Sequence, residues 1–248
     1  MGQGAGYKVG KALKTGGGLK AYQDLVIGSR SLGFLLLYEL VMLSSQWVPG
    51  ALGLFLRKLL YPLLLGGCGG GCLFGRGVGL RHPRKIVLGR GVVVDDHALL
   101  DAKGEGNRGL VLGDGVFIGR NAIVYTKGGD IELAPGVNVS HNCELFSSNL
   151  LTIGQGTFIA AYAYLLSGGE YELDSAAPLT QQSGTRSRGP TRIGQNVWIA
   201  AHCVVADGAE MGDHAVLGAG SVLLGAVPAA HLAAGAPAKV IRPLDRGA

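Results

Sequence analysis

Little of this 248-residue chain is charged or aromatic, 16% and 6% respectively. That shortage speaks against nucleic acid as a partner, because a surface that grips phosphates and stacks bases interleaves basic with aromatic residues, and no such stretch occurs. The net charge of +5 is moderate and suits anionic head groups or a phosphate-bearing ligand. Also missing is an uninterrupted apolar run of the roughly twenty residues that a spanning helix requires. Glu39 interrupts one candidate, Arg57 and Lys58 the other, and Pro49-Gly50 separates the two. A secretory signal is not expected either, since the apolar stretch starts far from the N-terminus and offers no cleavage site. Only four cysteines are present. Cys68 and Cys72 lack a second ligand pair, so no metal site is expected, and reduced thiols fit a reducing, cytoplasmic compartment.

Glycine, in contrast, is abundant, with 44 residues, which favours short strands joined by tight corners over helices. The organisation is expected to divide into a flexible basic N-terminus (1–24), an apolar helical segment (25–75), a repeat region (76–242) with one loop at 166–192, and a tail (243–248). The apolar segment admits two readings. In one, a pair of helices packs on the rest of the protein or on a neighbouring subunit. In the other, which the basic N-terminus favours, a helical hairpin lies in one face of a membrane, with Tyr38, Trp47 and Tyr61 at interface depth and Lys20, Arg57 and Lys58 towards head groups. The chain is therefore expected to be cytoplasmic and peripherally associated with a membrane.

Beyond Gly75 an aliphatic residue recurs every six positions, most cleanly at Ile193, Ile199, Val205, Met211, Leu217 and Leu223. Two residues before each anchor stands a smaller partner, as in Thr191, Val197, Cys203, Ala209, Ala215 and Ser221. Neither an amphipathic helix nor an alternating strand has that period. It predicts an all-β solenoid with three short faces per coil, in about six coils anchored from Leu88 to Leu223. A single coil cannot bury its own interior, so stacking must supply the stability. The pattern breaks once, between Leu165 and Ile193, where the chain reads LLSGGEYELD and goes on through Gln181, Gln182, Arg186 and Arg188. A long loop projecting from a rigid rod is a place for binding chemistry.

The segment IGQNVWIAAHCVVADGAEMGDHAVLGAGSVLLGAVPAAHLAAGAPAKVIRP resembles the C-terminal part of the hexapeptide-repeat O-acetyltransferases, the family of the maltose, galactoside, xenobiotic and surface-polysaccharide acetyltransferases. The resemblance covers roughly Leu88 to Arg242, and its most specific pieces are VWI, GAGSV and GAPAKVIR in that order. It implies a left-handed parallel β-helix, a homotrimer, and acetyl-CoA as acyl donor in a groove between neighbouring rods. Carried over by position, Ala200 and Ala201, Gly218, Ala219 and Gly220, and Pro237, Ala238, Lys239 and Arg242 would line the donor path. The small residues would let the pantetheine arm approach the backbone, and the two cations would face its phosphates.

In such enzymes the loop opens with a histidine eleven residues after the preceding hexad isoleucine. Counting eleven from Ile159 lands on Glu170. A sugar hydroxyl attacks a thioester only as its proton is removed, and imidazole, with a reference pKa of about 6.5, suits that task better than a carboxylate at about 4.3. Geometry being equal, the exchange costs roughly a factor of ten in rate. Burial against Tyr171 or repulsion from Glu172 would restore some basicity. Glu170 is thus the candidate base, with Glu172 or His141 in support, and His202 is the next candidate histidine. His82, His97, His214 and His231 have no comparable placement. The expected activity is acyl transfer, from acetyl-CoA, to a hydroxyl or amino group of a sugar or lipid-linked saccharide. The alternative, favoured by the missing histidine, is a catalytically silent trimer that binds CoA or glycan or acts as a scaffold.

Overall fold

The computed structural model describes residues 18–172, 174–182 and 186–245. The start of the basic N-terminus and the end of the tail lie outside the described residues. Three sheets of eight, nine and seven strands form the faces of a three-sided rod, called A, B and C here. Face A runs from Gly67–Cys68 to Ala226–Val227, face B from Leu73–Phe74 to His231–Gly235, and face C from Gly79–Arg81 to Val222–Leu223. The chain visits A, B and C in turn and then steps to the next level, which makes the left-handed parallel β-helix expected.

Each of the eighteen hexad anchors from Leu88 to Leu223 points inward and is at most 4% exposed. Eight coils are present, however, where six were expected. The extra first coil places Phe74 and Leu80 inside, and the last places Val227 and Ala233. The glycine run GGCGGGC hid the first coil, so the rod begins at Gly67, within the segment read as helical. The long loop does not disturb the stack. Leu151 and Ile153 pair with Thr191 and Ile193 directly across the excursion.

The free edge of the first coil creates a demand at one end. Neighbouring coils exchange hydrogen bonds in both directions, as in Leu73 N to Val92 O (2.9 Å) and Gly91 N back to Gly70 O (2.9 Å). No coil precedes the first, so amides and carbonyls on its outer edge need partners from elsewhere. The N-terminal helices supply them. Helix α1 (Gly18–Tyr22) continues into a wide turn at Gln23–Ile27, and α2 (Leu32–Ser45) and α3 (Gly50–Leu60) follow. Ser31 caps α2, its hydroxyl accepting from Phe34 N. Tyr38 Oη donates to Leu80 O at 2.9 Å, Tyr61 Oη to Val78 O at 3.1 Å, and Gln46 Nε2 to Val78 O at 3.3 Å.

Arg57 does most. Its Nε donates to Phe74 O at 2.8 Å, and one terminal nitrogen donates to Ser45 O and Val48 O at 2.9 and 2.8 Å, tying the end of α2 to α3. Gly53 makes room, because a Cβ there would lie 1.8 Å from Val48 O. Burial pushes the Tyr38 hydroxyl up to about 12 and raises Tyr61 as well, so both keep the protons they donate. Tyr38, Tyr61 and Arg57 thus face the first coil and not the membrane interface where they were expected. Trp47, Lys20 and Lys58 remain exposed.

Arg57→Met leaves three carbonyls without their donor and is expected to cost about 3 kcal/mol, lowering Tm by roughly 10 °C in scanning calorimetry. The exposed neighbour change Lys58→Met should leave Tm almost unmoved.

Candidate functional site

The loop leaves face C after Ser167 and rejoins face A at Thr191. Its neck is held by one side chain. Asp207, 1% exposed, accepts from Gly168 N on the outgoing strand, and from Ser187 Oγ (2.8 Å) and Arg188 N (2.5 Å) on the returning one. Around it Thr191 Oγ1 donates to Leu166 O at 2.8 Å, and Gly169 N donates to Ser148 Oγ at 2.9 Å. Gly168 and Gly169 adopt φ near +87° and +88°. A Cβ on Gly169 would meet the Phe146 ring at 2.6 Å, so glycine is required both by conformation and by space.

Directly past this glycine pair stands Glu170. Its backbone exchanges hydrogen bonds with Arg186, N to O at 3.0 Å and back at 3.2 Å. Its carboxylate meets the Arg188 guanidinium at 2.8 Å, while Glu172 meets Arg186 at 3.2 Å. Two glutamates and two arginines therefore alternate along the neck, at the corner between faces C and A. The sequence placed Glu170 and Glu172 together; it did not foresee the arginine on each. Nor did it single out Asp207, which reads as an ordinary corner residue in VVADGAE. Only the stacking of its coil beside the loop exits brings it under both strands.

Elsewhere His141 is exposed on the corner between faces B and C, one coil before the loop departs. Face C separates it from Glu170, so a single chain does not bring the two together. That face carries Phe146 packed against Tyr125 at 4.8 Å. Burial, Tyr164 and a hydrogen bond to Glu144 together push the Tyr125 hydroxyl well above its ordinary range, so it stays protonated. Further along the same B–C corner, His202 stacks on Tyr162, ring centroids 4.9 Å apart and planes within 3°.

The proposed donor-path residues occupy this corner at the C-terminal end of the rod. Gly220 N donates to Ala201 O at 2.9 Å, Ala200 N to Leu217 O at 2.9 Å, and Gly235 N to Ser221 Oγ at 3.1 Å. Ala200, Ala201, Gly218, Ala219 and Gly220 thus form consecutive levels of one column. Strand Ala238–Pro243 folds back antiparallel on His231–Gly235, pairing Ala238 with Gly235 and Lys239 with Ala234. Pro237, Ala238 and Lys239 therefore continue the column. Arg242 pairs with Leu232 and lies on face B, further from the corner than the others. Ala200 is buried within the column, while Ala219, Gly220 and Pro237 are exposed along it and Lys239 at its end.

With this geometry in view, comparisons with known proteins bear on its kind. Residues 190–225 match the family model for the bacterial transferase hexapeptide (six repeats). The chain is 27% identical to the galactoside O-acetyltransferase of Escherichia coli over 171 residues, 66% of this chain and 81% of that protein. It is 34% identical to a putative acetyltransferase of Staphylococcus aureus over 121 residues, 48% of this chain, and spans 57% of that relative's length. Among solved structures, a polysialic acid O-acetyltransferase superposes with a TM-score of 0.59 at 16% identity, covering 74% of this chain and 89% of that one. An N-acyltransferase from Bacillus cereus, in complex with dTDP and 3-hydroxybutyryl-CoA, superposes with a TM-score of 0.54 at 15% identity, covering 82% and 92%. At those identities the likeness is one of fold.

Replacing Asp207 by Asn removes a charged acceptor from under both loop strands, worth about 2 kcal/mol, which corresponds to roughly thirtyfold more frequent opening of the neck. Trypsin cleavage after Arg186 and Arg188, followed by mass spectrometry on the folded protein, should accelerate accordingly while the coils stay resistant.

Proposed function

From a chain that resembles the hexapeptide-repeat O-acetyltransferases in sequence, repeat and fold, we propose an acyltransferase that moves an acetyl group from acetyl-CoA to a hydroxyl or amino group of a sugar. The observation that carries this reading is the small-residue column from Ala200 to Lys239, which lies in and beyond the coils matched by the family model. Acetyl-CoA would lie along it, its pantetheine against the exposed backbone and its phosphates towards Lys239. A homotrimer would close the groove and set the B–C corner of one protomer, with His141, against the C–A corner of the next, with Glu170. The acceptor would be a free or lipid-linked saccharide at the cytoplasmic face of a membrane.

In the reaction the acceptor oxygen attacks the thioester carbonyl, the carbon–sulfur bond breaks, and CoA leaves as the thiol. Glu170 would take the acceptor proton and return it to the departing sulfur. For that the hydroxyl must displace Arg188 from one carboxylate oxygen, and the guanidinium so released would face the oxyanion formed on the thioester carbonyl. The ion pair also supports the second reading, a silent trimer, because a carboxylate occupied by arginine is a poorer base than a poised imidazole.

Thiol release from acetyl-CoA, measured with a panel of amino and hydroxyl sugars, separates the two. The acyltransferase reading expects activity in the native chain and a loss of about 100-fold or more in kcat for Glu170→Gln, with KM for acetyl-CoA little changed. Activity in Glu170→His alone overturns the carboxylate base and favours the silent trimer.

A further inference from the structure

The inner faces of α2 and α3 are consumed by the first coil; their outer faces are not. Of twenty-one exposed large apolar side chains among the described residues, eleven fall between Leu19 and Leu63. Leu36, Leu40, Leu43 and Trp47 follow each other down one side of α2 and its end, with Leu43 81% and Leu36 70% exposed, and Leu52 and Phe55 extend the patch onto α3. A contiguous apolar surface of this kind marks an interface. What it meets is decided by charge. Among the described residues, those from 18 to 90 include nine Lys and Arg against two acids, Asp24 and Glu39, a surplus of seven; those from 91 to 245 include nine against fifteen acids, a deficit of six. The rod is therefore polarised along its chain, with its positive end where its leucines are exposed.

We propose that this helical cap docks on an anionic lipid leaflet and stands the rod on its first coil. The inference rests on the reading of the chain as a sugar acyltransferase only for its consequence, not for the docking. A second copy of the cap would fit the apolar patch but would bring two strongly basic ends together, whereas anionic lipid neutralises them. No single helix among the described residues is long and apolar enough to cross a membrane. The pair Gly18–Ile27 and Leu32–Ser45 has that composition jointly, bent by 70°. It is already committed to the coil on its inner side, through Tyr38 and the buried Val41 and Met42. The helices accordingly lie in the interface with their outer leucines in lipid.

Coils stack at about 4.8 Å, and four steps separate the face C strand of the first coil, Gly79–Arg81, from Tyr164–Ser167, which launches the loop. Glu170 is thereby held about 20 Å from the capped end. For the proposed transfer this selects an acceptor whose reactive sugar stands off from its lipid on intervening residues, over one joined directly to the lipid head.

Co-sedimentation with vesicles of phosphatidylcholine, with and without phosphatidylglycerol, tests the docking without reference to activity. The full chain should pellet with the anionic vesicles and be released by salt. Leu40→Glu/Leu43→Glu, both at exposed positions and checked for native circular dichroism, should weaken binding by at least about tenfold. An environment-sensitive dye on Leu43→Cys should be quenched by lipid-borne nitroxides, and one on Tyr171→Cys should not. Failure to bind anionic vesicles overturns the docking, as does a double variant that changes subunit number without changing vesicle binding. Equal quenching at both dye positions overturns the upright stance. Loss of thiol-release activity bears only on the enzymatic reading.

Discussion

The interaction on which the rest depends is a backbone hydrogen bond that the first coil cannot make for itself. In a parallel stack each coil bonds to the coils before and after it, so the first and last coils each keep an edge of unpaired amides and carbonyls. Here the first edge is closed by the N-terminal helices: side chains of Tyr38, Tyr61, Gln46 and Arg57 reach Leu80, Val78 and Phe74, and the carbonyls of Gln46 and Val26 accept from Gly77 and His82. The last edge is closed on face B by folding Ala238–Pro243 back as an antiparallel strand. An open edge of eight stacked coils would be a template for uncontrolled pairing. The two closures end the stack, and each also sets up a surface: an apolar, basic one at the start, and the end of the small-residue column at the finish.

The loop depends on the same regularity. Because Leu151 and Ile153 find Thr191 and Ile193 in unbroken register, the excursion costs loop-closure entropy and no core contact, and that entropy rises only slowly with length. A neck fastened at both strands by Asp207 lowers the cost further by restricting the loop's exits. It also fixes where Glu170 and Arg188 stand relative to the rod. A carboxylate carried on a free loop would have no such reference.

Much of this was legible beforehand for a simple reason. The six-residue period is a statement about side-chain direction, and direction is what burial enforces, so Leu88 to Leu223 could be assigned one by one. The first coil escaped because Cys68 and its glycines carry too little apolar side chain to show a period. Arg57, Tyr38 and Tyr61 were read by their amphipathic character, which suits a lipid interface and a row of carbonyls equally well; only the proximity of the first coil distinguishes them. The position of Glu170 was legible from spacing. Its partner was not, because Arg188 lies eighteen residues away across a loop with no period, and neither was Asp207, whose role exists only between coils.

In the proposed transfer, the pairing of Glu170 with Arg188 changes what replacing a histidine means. An imidazole takes a proton and becomes a cation near the developing oxyanion. A glutamate alone takes the proton and becomes neutral, contributing nothing to that charge. Glutamate with arginine would restore that function in two parts: as the carboxylate is protonated its hold on the guanidinium would weaken, and the guanidinium would be freed at the moment the carbonyl oxygen becomes negative. The pair carries no net charge before the reaction and one positive charge after proton transfer, the same change an imidazole undergoes. Electrostatic equivalence of that kind is possible only if both groups are held to one spot, which is the work that falls to Asp207 and the glycine pair beneath them.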